Sequence, residues 1–498
     1  MKKHVKALAL SLCCLIGVAA MGCQNPNPTP DGPKDGSIYT KDAIIYDVDA
    51  IEMLTGDTNR AYKDGKNYNY QSRNFKKFIE DDLAGTDNGH MFWSEKQQKM
   101  FLLFGDTYGS DRKDTELGED TTSRNWLSNF MAITSDTDLN DGLEFDDLYR
   151  KGGTYPQDKA CAIIEGKHED LTNCINKGWE RTKINQGGIE APDGTLYSFY
   201  ESVRNFGANG TWMVNYQGAI KSTDGGVTWE RVHDLTWFVD VDNHFDYAVK
   251  SAEETVAEAA RSSELTEAAE IKGLIKNAEE REAPYFAQCY PLDGKDGYMY
   301  LFGRARGRQH GIKVARVLWD NIENFEEYEY YQGMNADGTP KFIKGYDGMK
   351  ALNNDEVGYV FAHGQDEVTS SFSACYNEYL GKWMICYYQP PYFAEGNNVK
   401  MSPEKVGFRL SDTVWGNYGR FHTIMEQDFF APNGVDTPSD ILEFNGYNAD
   451  ASWKTNKIIK LYGGFVNEKY QEQNGKIFYM IMTLSGPYNS ALFRITLN

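Results

Sequence analysis

The chain has 498 residues, with 51 Lys+Arg against 73 Asp+Glu and a net charge of −22 at pH 7. A surface this acidic repels phosphate backbones and excludes nucleic acid as a partner. Aromatic residues reach 14%, which suits pleated sheets or platforms on which sugar rings stack.

In chain order, Lys2, Lys3 and Lys6 precede an apolar run from Ala7 to Ala20, and Ala20-Met21-Gly22-Cys23 follows. This is the three-part pattern of a secretory signal, assigned to residues 1–22. The run is too short to span a bilayer and stay there. A small residue directly before a cysteine is the pattern at which bacterial lipoproteins are cleaved and acylated, so Cys23 is the expected lipid site. Residues 23–40 include Asn25-Pro26-Asn27-Pro28-Thr29-Pro30, a polar, proline-broken tether that stands a domain off a membrane. The expected location is the outer membrane, on the cell surface or facing the periplasm, with the protein a monomer. Beyond Cys23 the cysteines are Cys161, Cys174, Cys289, Cys375 and Cys386. An odd number excludes a complete disulfide framework. Cys161 and Cys174 flank a loop-like stretch and could pair. Cys375 and Cys386 lie opposite each other across a predicted hairpin, and burial as small apolar residues is the better reading. None has zinc-ligand spacing, and neither a metal nor a cofactor is expected.

From residue 41 onward, apolar alternation with period two, broken by glycine-rich turns, predicts an all-β chain. The clearest unit is the strand Thr195–Glu201, then Gly210–Tyr216, then Gly218-Ala-Ile-Lys-Ser222-Thr-Asp224-Gly-Gly226-Val-Thr228-Trp229. Its last eight residues match the Asp-box turn S-x-D-x-G-x-T-W, a structural hairpin device. Weaker copies stand at Met131–Asp138, Val406–Trp415 and, degenerate, Val314–Glu323. Each follows a strand pair: Lys99–Thr107, Ser370–Tyr388 and Gly297–Gly303. A final set, Lys457–Val466 and Lys476–Asn498, closes the chain. Five such units predict a five-bladed β-propeller over 41–498, each blade burying its faces against its neighbours. The exception is Tyr247–Glu282, where Val249, Ala252, Val256, Ala260 and then Leu265, Ile271, Leu274, Ile275, Ala278 recur at helical spacing. A helical hairpin inserted between blades is expected there, as a rim of the ligand site or as a solvated decoration.

Propellers place ligands on the axis, so acids at strand ends matter more than local motifs. Asp87 precedes the alternating strand Met91-Phe-Trp, and Asp106 lies where the apolar strand Leu102-Leu-Phe-Gly turns polar. A strand down and a strand back would bring both carboxyls to one mouth. Glycosidic hydrolysis needs such a pair, one protonated and one ionised. The bland reading makes each an aspartate bonding a local turn. Glu367 and Glu190 are further candidates, the latter able merely to rim a turn. Arg304, Arg306 and Arg308 either steer a hydroxyl-rich ligand or form a solvated basic loop. The histidines are scattered without H-E-x-x-H, and there is no nucleophile elbow, Walker loop or dinucleotide fingerprint.

The ordered set Thr86-Asp87-x-Gly89, Leu103-Phe-Gly-Asp106-Thr107, Ser128-Asn129, Gly187-Gly-Ile189, Asn215-Tyr216, Phe302-Gly303 with Gly307-Arg308, and Tyr376–Trp383 resembles the bacterial endo-D-arabinanases, glycoside hydrolase family 183, formerly a domain of unknown function. The resemblance spans about Asp87 to Tyr388. It implies a five-bladed propeller that cleaves α-linked D-arabinofuranose chains of the arabinogalactan and lipoarabinomannan type. It makes Asp87 and Asp106 the catalytic pair. Substrate contacts are expected from Tyr108, Asn129, Glu190, Arg308 and Glu367. The chain departs from the pattern at Asn88, where leucine is usual, and at Leu127, where arginine is common. Two other readings compete: a surface glycan-binding lipoprotein without catalysis, and a sialidase-like hydrolase suggested by the Asp box.

Overall fold

The computed structural model describes residues 42–56, 72–111, 123–151, 159–169, 174, 180–206, 212–239, 271–308, 310–354, 356–361, 369–390, 392–395, 398–401, 404–427, 461–484 and 488–498. The proposed signal, Cys23 and the tether lie outside these residues, as does the helical hairpin up to residue 270.

Five small antiparallel sheets form a ring. Strand β1 (Ile45–Met53) and helix α1 (Phe75–Glu80) come first. Blade one holds β2 (Gly85–Ser94), β3 (Lys99–Tyr108), the short β4 (Trp126–Leu127), β5 (Phe130–Thr134) and β6 (Asp147–Leu148). Blade two holds β7 (Thr182–Glu190), β8 (Leu196–Asn205), β9 (Met213–Ser222) and β10 (Glu230–Phe238). Blade three runs through β11 (Gln288–Asp293), β12 (Tyr298–Arg304), β13 (Ile312–Leu318), β14 (Glu329–Met334) and β15 (Pro340–Lys344), with helix α2 (Gly345–Ala351) after it. Blade four pairs β16 (Phe372–Asn377) and β17 (Lys382–Gln389) with β20 (Glu404–Ser411) and β21 (His422–Gln427), and the hairpin β18 (Tyr392–Glu395) and β19 (Asn398–Met401) interrupts it. Blade five takes β22 (Leu461–Glu472), β23 (Ile477–Leu484) and β24 (Asn489–Leu497) from the end of the chain, and its outer strand is β1, paired antiparallel to β24. This closure clamps the two ends of the ring with backbone hydrogen bonds and leaves no open seam.

The innermost strands meet in sequence around the axis: β2 with β7, β7 with β11, β11 with β16, β16 with β22, and β22 with β2. Apolar side chains pack between neighbouring blades. Met91, Phe104 and Phe130 of blade one, for example, share a core with Phe465 and Ile481 of blade five. Each fully buried Phe or Leu contributes roughly 1.5–3 kcal/mol, so the ring is held by faces that no blade could bury alone. The Asp-box reading fits the turn after β9. There Asp224 Oδ1 accepts from the amides of Val227 at 3.1 Å and Thr228 at 2.9 Å, while Gly225 and Gly226 adopt φ of 77° and 93°. The three weaker copies follow β5, β13 and β20, each the third long strand of its blade.

Of the proposed helical insertion, Ile271, Ile275 and Ala278 are buried with Phe238 and Ile220 in the core shared by blades one and two. This part is therefore packed structure and no solvated decoration. The cysteine readings need two corrections. Cys161 and Cys174 form no disulfide, and the partner of Cys375 across the hairpin is Met384, with Cys386 opposite Ser373. Cys375 and Cys386 are both buried, as small apolar side chains are.

Candidate active site

The site begins at an irregularity in the first hairpin. The β2–β3 register breaks on both sides of Asn88, which takes a left-handed φ of 65°, followed by Gly89 at 138°. Asparagine tolerates this region far better than leucine does, which gives Asn88 a structural reason for its departure from the family pattern. The bulge is tied to blade five, with the Asn88 amide donating to Thr483 Oγ1 at 2.9 Å and its carbonyl accepting from Ser490 Oγ at 2.7 Å. Re-aimed by the bulge, the Asp87 carboxyl lies over Gly105. A Cβ at Gly105 would meet Asp87 Oδ1 at 2.2 Å, so only glycine permits the approach.

Asp106 follows Gly105 and is buried, while Asp87 is half-buried. Asp106 Oδ1 accepts from Trp126 Nε1 at 2.9 Å and from Thr182 Oγ1 at 2.5 Å. Burial pushes this carboxyl up to about 8; the Thr182 bond works against the rise, the charge of Asp87 adds to it, and Trp126 and Arg181 oppose it. Desolvation wins because, among the described residues, no cation forms an ion pair with the group. Both of its hydrogen bonds fall on Oδ1, leaving Oδ2 to carry a proton. Trp126 is itself held, with His168 stacked on it at 4.0 Å and Arg181 at 4.6 Å from the ring centre.

A third carboxylate reaches the same hub from blade two. Glu201 on β8 is fully buried, and its Oε1 accepts from Gln186 Nε2 at 2.9 Å and Gln288 Nε2 at 2.6 Å, with Trp212 Nε1 3.4 Å from Oε2. Burial raises it to about 7, the Gln288, Arg304 and Trp212 interactions oppose this, and the charge of Asp87 adds to it. Sequence reasoning missed Glu201. A signal was present, because Tyr197, Phe199 and Glu201 share one parity of the strand, and the first two pack in the core between blades two and three. A carboxylate continuing an apolar face is the kind of residue that calls for a reason.

The other predicted contacts divide. The guanidinium of Arg308 stands 5.4 Å over the Trp212 ring, beside Glu201. Arg304 and Arg306 are fully buried, which corrects the solvated-loop reading; Arg304 donates to the carbonyls of Gly307 and Thr369. Tyr108 is buried, its ring between Trp126 and Tyr488 in the core of blades four and five, so packing rather than an open contact surface occupies it. Asn129 also needs correction. It is fully buried, its amide donates to the carbonyls of Ile164 at 2.7 Å and Lys183 at 2.9 Å, and its oxygen accepts from Ile163 N at 3.1 Å. Those bonds pin a loop to β7 and use both amide hydrogens, and burial keeps the side chain away from a substrate. Glu190 sits at the far end of the inner strand. It accepts from Ser94 Oγ and from the amides of Glu95 at 2.7 Å and Lys96 at 3.3 Å, capping the β2–β3 turn at the opposite mouth of the ring. Glu367 lies outside the described residues.

That opposite mouth holds a cavity of about 590 Å³ lined by Trp93, Glu190, Tyr290, Tyr376, Glu468 and Lys469 among others. Its two lysines are already paired, Lys295 3.1 Å from Glu468 and Lys469 3.9 Å from Glu95, and two further acids of its lining, Asp293 and Glu378, are exposed to solvent. Its rings are covered too, since Lys469 stands 4.1 Å from the centre of Trp93 and Lys295 5.2 Å from that of Tyr376. We therefore place the candidate active site at the carboxylate end, where Asp106 and Glu201 are enclosed and burial pushes both carboxyls up.

Comparison with known proteins gives fold-level likeness only. A provisionally named hydrolase of Bacteroides ovatus is 10% identical with a TM-score of 0.45, covering 86% of this chain and 89% of that one. A Bacillus megaterium levansucrase mutant is 10% identical with a TM-score of 0.36, covering 95% and 92%. The Hadza microbial sialidase Hz136 is 10% identical with a TM-score of 0.33, covering 84% of this chain and 53% of that one. None of these bears on what the present chain acts on. No curated protein matches the sequence. The family model described as domain of unknown function (DUF4185) matches residues 73–494, and the chain belongs to that family.

Proposed function

We propose that the protein is a glycoside hydrolase that cleaves furanoside polysaccharides internally, with α-linked D-arabinofuranose chains as substrate. One observation carries the reading. Two aspartates from adjacent antiparallel strands meet at the hub of the ring, one buried with its carboxyl pushed up to about 8, the other half-buried and adding its charge to that rise. Such a pair is split into roles by environment. Asp106 retains a proton at neutral pH and delivers it from Oδ2 to the departing glycosidic oxygen. Asp87 is the anion that activates water or attacks the anomeric carbon. Trp126 and Thr182 fix Asp106 by its other oxygen, so its orientation survives the loss of the proton. Arabinan specificity rests on the motif resemblance alone, and attachment to an outer membrane through Cys23 rests on the leader pattern.

The test is release of reducing ends from arabinogalactan and from a panel of other glycans by wild type, Asp87→Asn and Asp106→Asn. The expected result is activity on arabinogalactan that falls about 10²–10⁴-fold in each variant, the usual worth of a positioned acid or base. Saturable glycan binding without reducing-end release would instead favour the non-catalytic surface protein.

A further inference from the structure

We infer that His168 is a positioning residue for Asp106: its imidazole, stacked flat on the Trp126 indole, holds that ring where its N–H meets the general acid. The inference rests on the hydrolase reading above and concerns a residue that reaches the reacting pair through another side chain.

Trp126 Nε1 donates to Asp106 Oδ1 at 2.9 Å, which leaves Oδ2 for the proton. The backbone gives this indole little support. Strand β4 is two residues long, pairing Trp126 with Tyr108 and Leu127 with Thr107, and the ring is half-buried. Its angle is therefore set by side-chain contacts. The Tyr108 ring lies 6.0 Å away at 32°, and the Arg181 guanidinium stands 4.6 Å from the ring centre. His168 makes the closest and flattest contact of the three, with centroids 4.0 Å apart and planes 3° from parallel. The imidazole is itself anchored. Its Nε2 stands 2.8 Å from Ser128 Oγ and 2.9 Å from Glu165 Oε1. A carboxylate oxygen only accepts, so Nε2 carries a proton. Glu165 Oε1 also accepts from the Ser128 amide at 3.0 Å, and Ser128 Oγ from the Gly166 amide at 2.9 Å. Ser128 lies two residues beyond Trp126, so the clamp closes on the same short segment that carries the indole. The backbone of His168 takes a left-handed φ of 51°, uncommon for a residue with a side chain. Strain of this kind persists where the surroundings over-determine it. Here the amides of His168 and Glu169 donate to the carbonyls of Arg181 and Glu180 at 3.1 Å and 3.3 Å, and the next residue, Thr182, is the second donor to Asp106 Oδ1. The segment Glu180–Thr182 thus sets both bonds to the general acid, one directly and one through His168 and Trp126. Freeing the indole would leave Asp106 turning on the Thr182 hydroxyl, and a misdirected Oδ2 delivers its proton poorly.

The deciding experiment compares His168→Asn, which removes the ring yet suits a left-handed backbone, with His168→Phe, which restores a ring to stack. With folding checked by circular dichroism, His168→Asn is expected to lower kcat on arabinogalactan by about 10²-fold while KM stays within about threefold. On an aryl arabinofuranoside oligosaccharide whose acidic phenol departs without protonation, the same variant should come within about threefold of wild type. A merely structural lesion would depress both substrates alike. His168→Phe should recover most of the loss. Should His168→Asn fail to fold, Ser128→Ala, which removes one anchor of the imidazole, is expected to show the same split at smaller size. A second readout needs no turnover. In magnetic resonance of isotope-labelled tryptophan, the Trp126 indole N–H, identified by its disappearance in Trp126→Phe, should exchange slowly with water in wild type and in His168→Phe, and fast in His168→Asn, as in Asp106→Ala. The proposal is overturned by equal losses on the two substrates, by no loss, by His168→Phe as impaired as His168→Asn, or by indole exchange indifferent to His168→Asn. If wild type cleaves nothing in the panel, the hydrolase reading fails separately, and the exchange rate still decides whether His168 holds the bond between Trp126 and Asp106.

Discussion

The two mouths of the ring are lined by the same five inner strands, yet their acids sit in different surroundings. At the cavity end, Lys295, Lys469, Glu95 and Glu468 neutralise one another in partial contact with solvent. Such pairs are each worth about 0–1 kcal/mol and perturb little. At the other end, Asp106 and Glu201 are enclosed, hydrogen-bonded by neutral donors, and pushed up to about 8 and about 7. Acidity tuned by burial, rather than the size of a cavity, therefore marks the reactive end.

The sharpest way to break this contrast is to neutralise each end in turn. Asp87→Asn and Asp106→Asn should abolish turnover by about 10²–10⁴-fold, whereas Trp93→Ala or Lys469→Ala at the cavity end should leave kcat/KM on soluble substrate within about threefold, a small cost in barrier terms. Next in size is Gly105→Ala. Its added carbon enters the space of Asp87 Oδ1, and a misplaced carboxyl of this kind costs about 10²-fold in kcat, while far-ultraviolet circular dichroism should stay that of a β-protein.

Stability against pH supplies a third, smaller effect. Asp106 has an ordinary value of 3.8 and a folded value of about 8. Between the two, the folded state holds a proton that the unfolded chain has released, so this group makes stability fall as pH rises through that window. Asp106→Asn removes the penalty. Its melting temperature relative to wild type should climb by about 6 °C at most between the acidic and alkaline ends of the window, followed by calorimetry. A flat difference would mean that the carboxyl is not held protonated by burial. The smallest effect belongs to Glu190→Gln, which weakens the cap on the β2–β3 turn. It should cost about 1 kcal/mol in denaturant unfolding without altering the pH profile of activity.

Much of the architecture was legible because period-two alternation and the Asp-box turn are local signals. The four turn motifs at Ser135, Ser222, Trp319 and Ser411 all follow the third long strand of a blade, so their spacing reported the repeat itself. The closure by β1 was not legible, because it depends on a pairing between Ile45–Met53 and Asn489–Leu497, at opposite ends of the sequence. The site divided along the same line. Asp87 and Asp106 belong to one hairpin, and a strand down and back suffices to bring them together. Glu201 and its donor Gln288 come from different blades, and only ring closure makes them neighbours. Asn129 and Glu190 show the converse, since polar residues beside suggestive motifs turned out to be bonded to the backbone of segments distant in sequence. Sequence position cannot distinguish an amide that pins a loop from one that meets a ligand.

The assignment of proton donor and anion is tested most directly by changing what the leaving group needs. An aryl arabinofuranoside oligosaccharide with a strongly acidic phenol departs without protonation, so the account expects Asp106→Asn to regain most of its rate on that substrate while remaining inactive on arabinogalactan. Asp87→Asn should fail on both. Equal recovery of the two variants, or recovery of Asp87→Asn alone, would contradict the division of labour between these carboxyls.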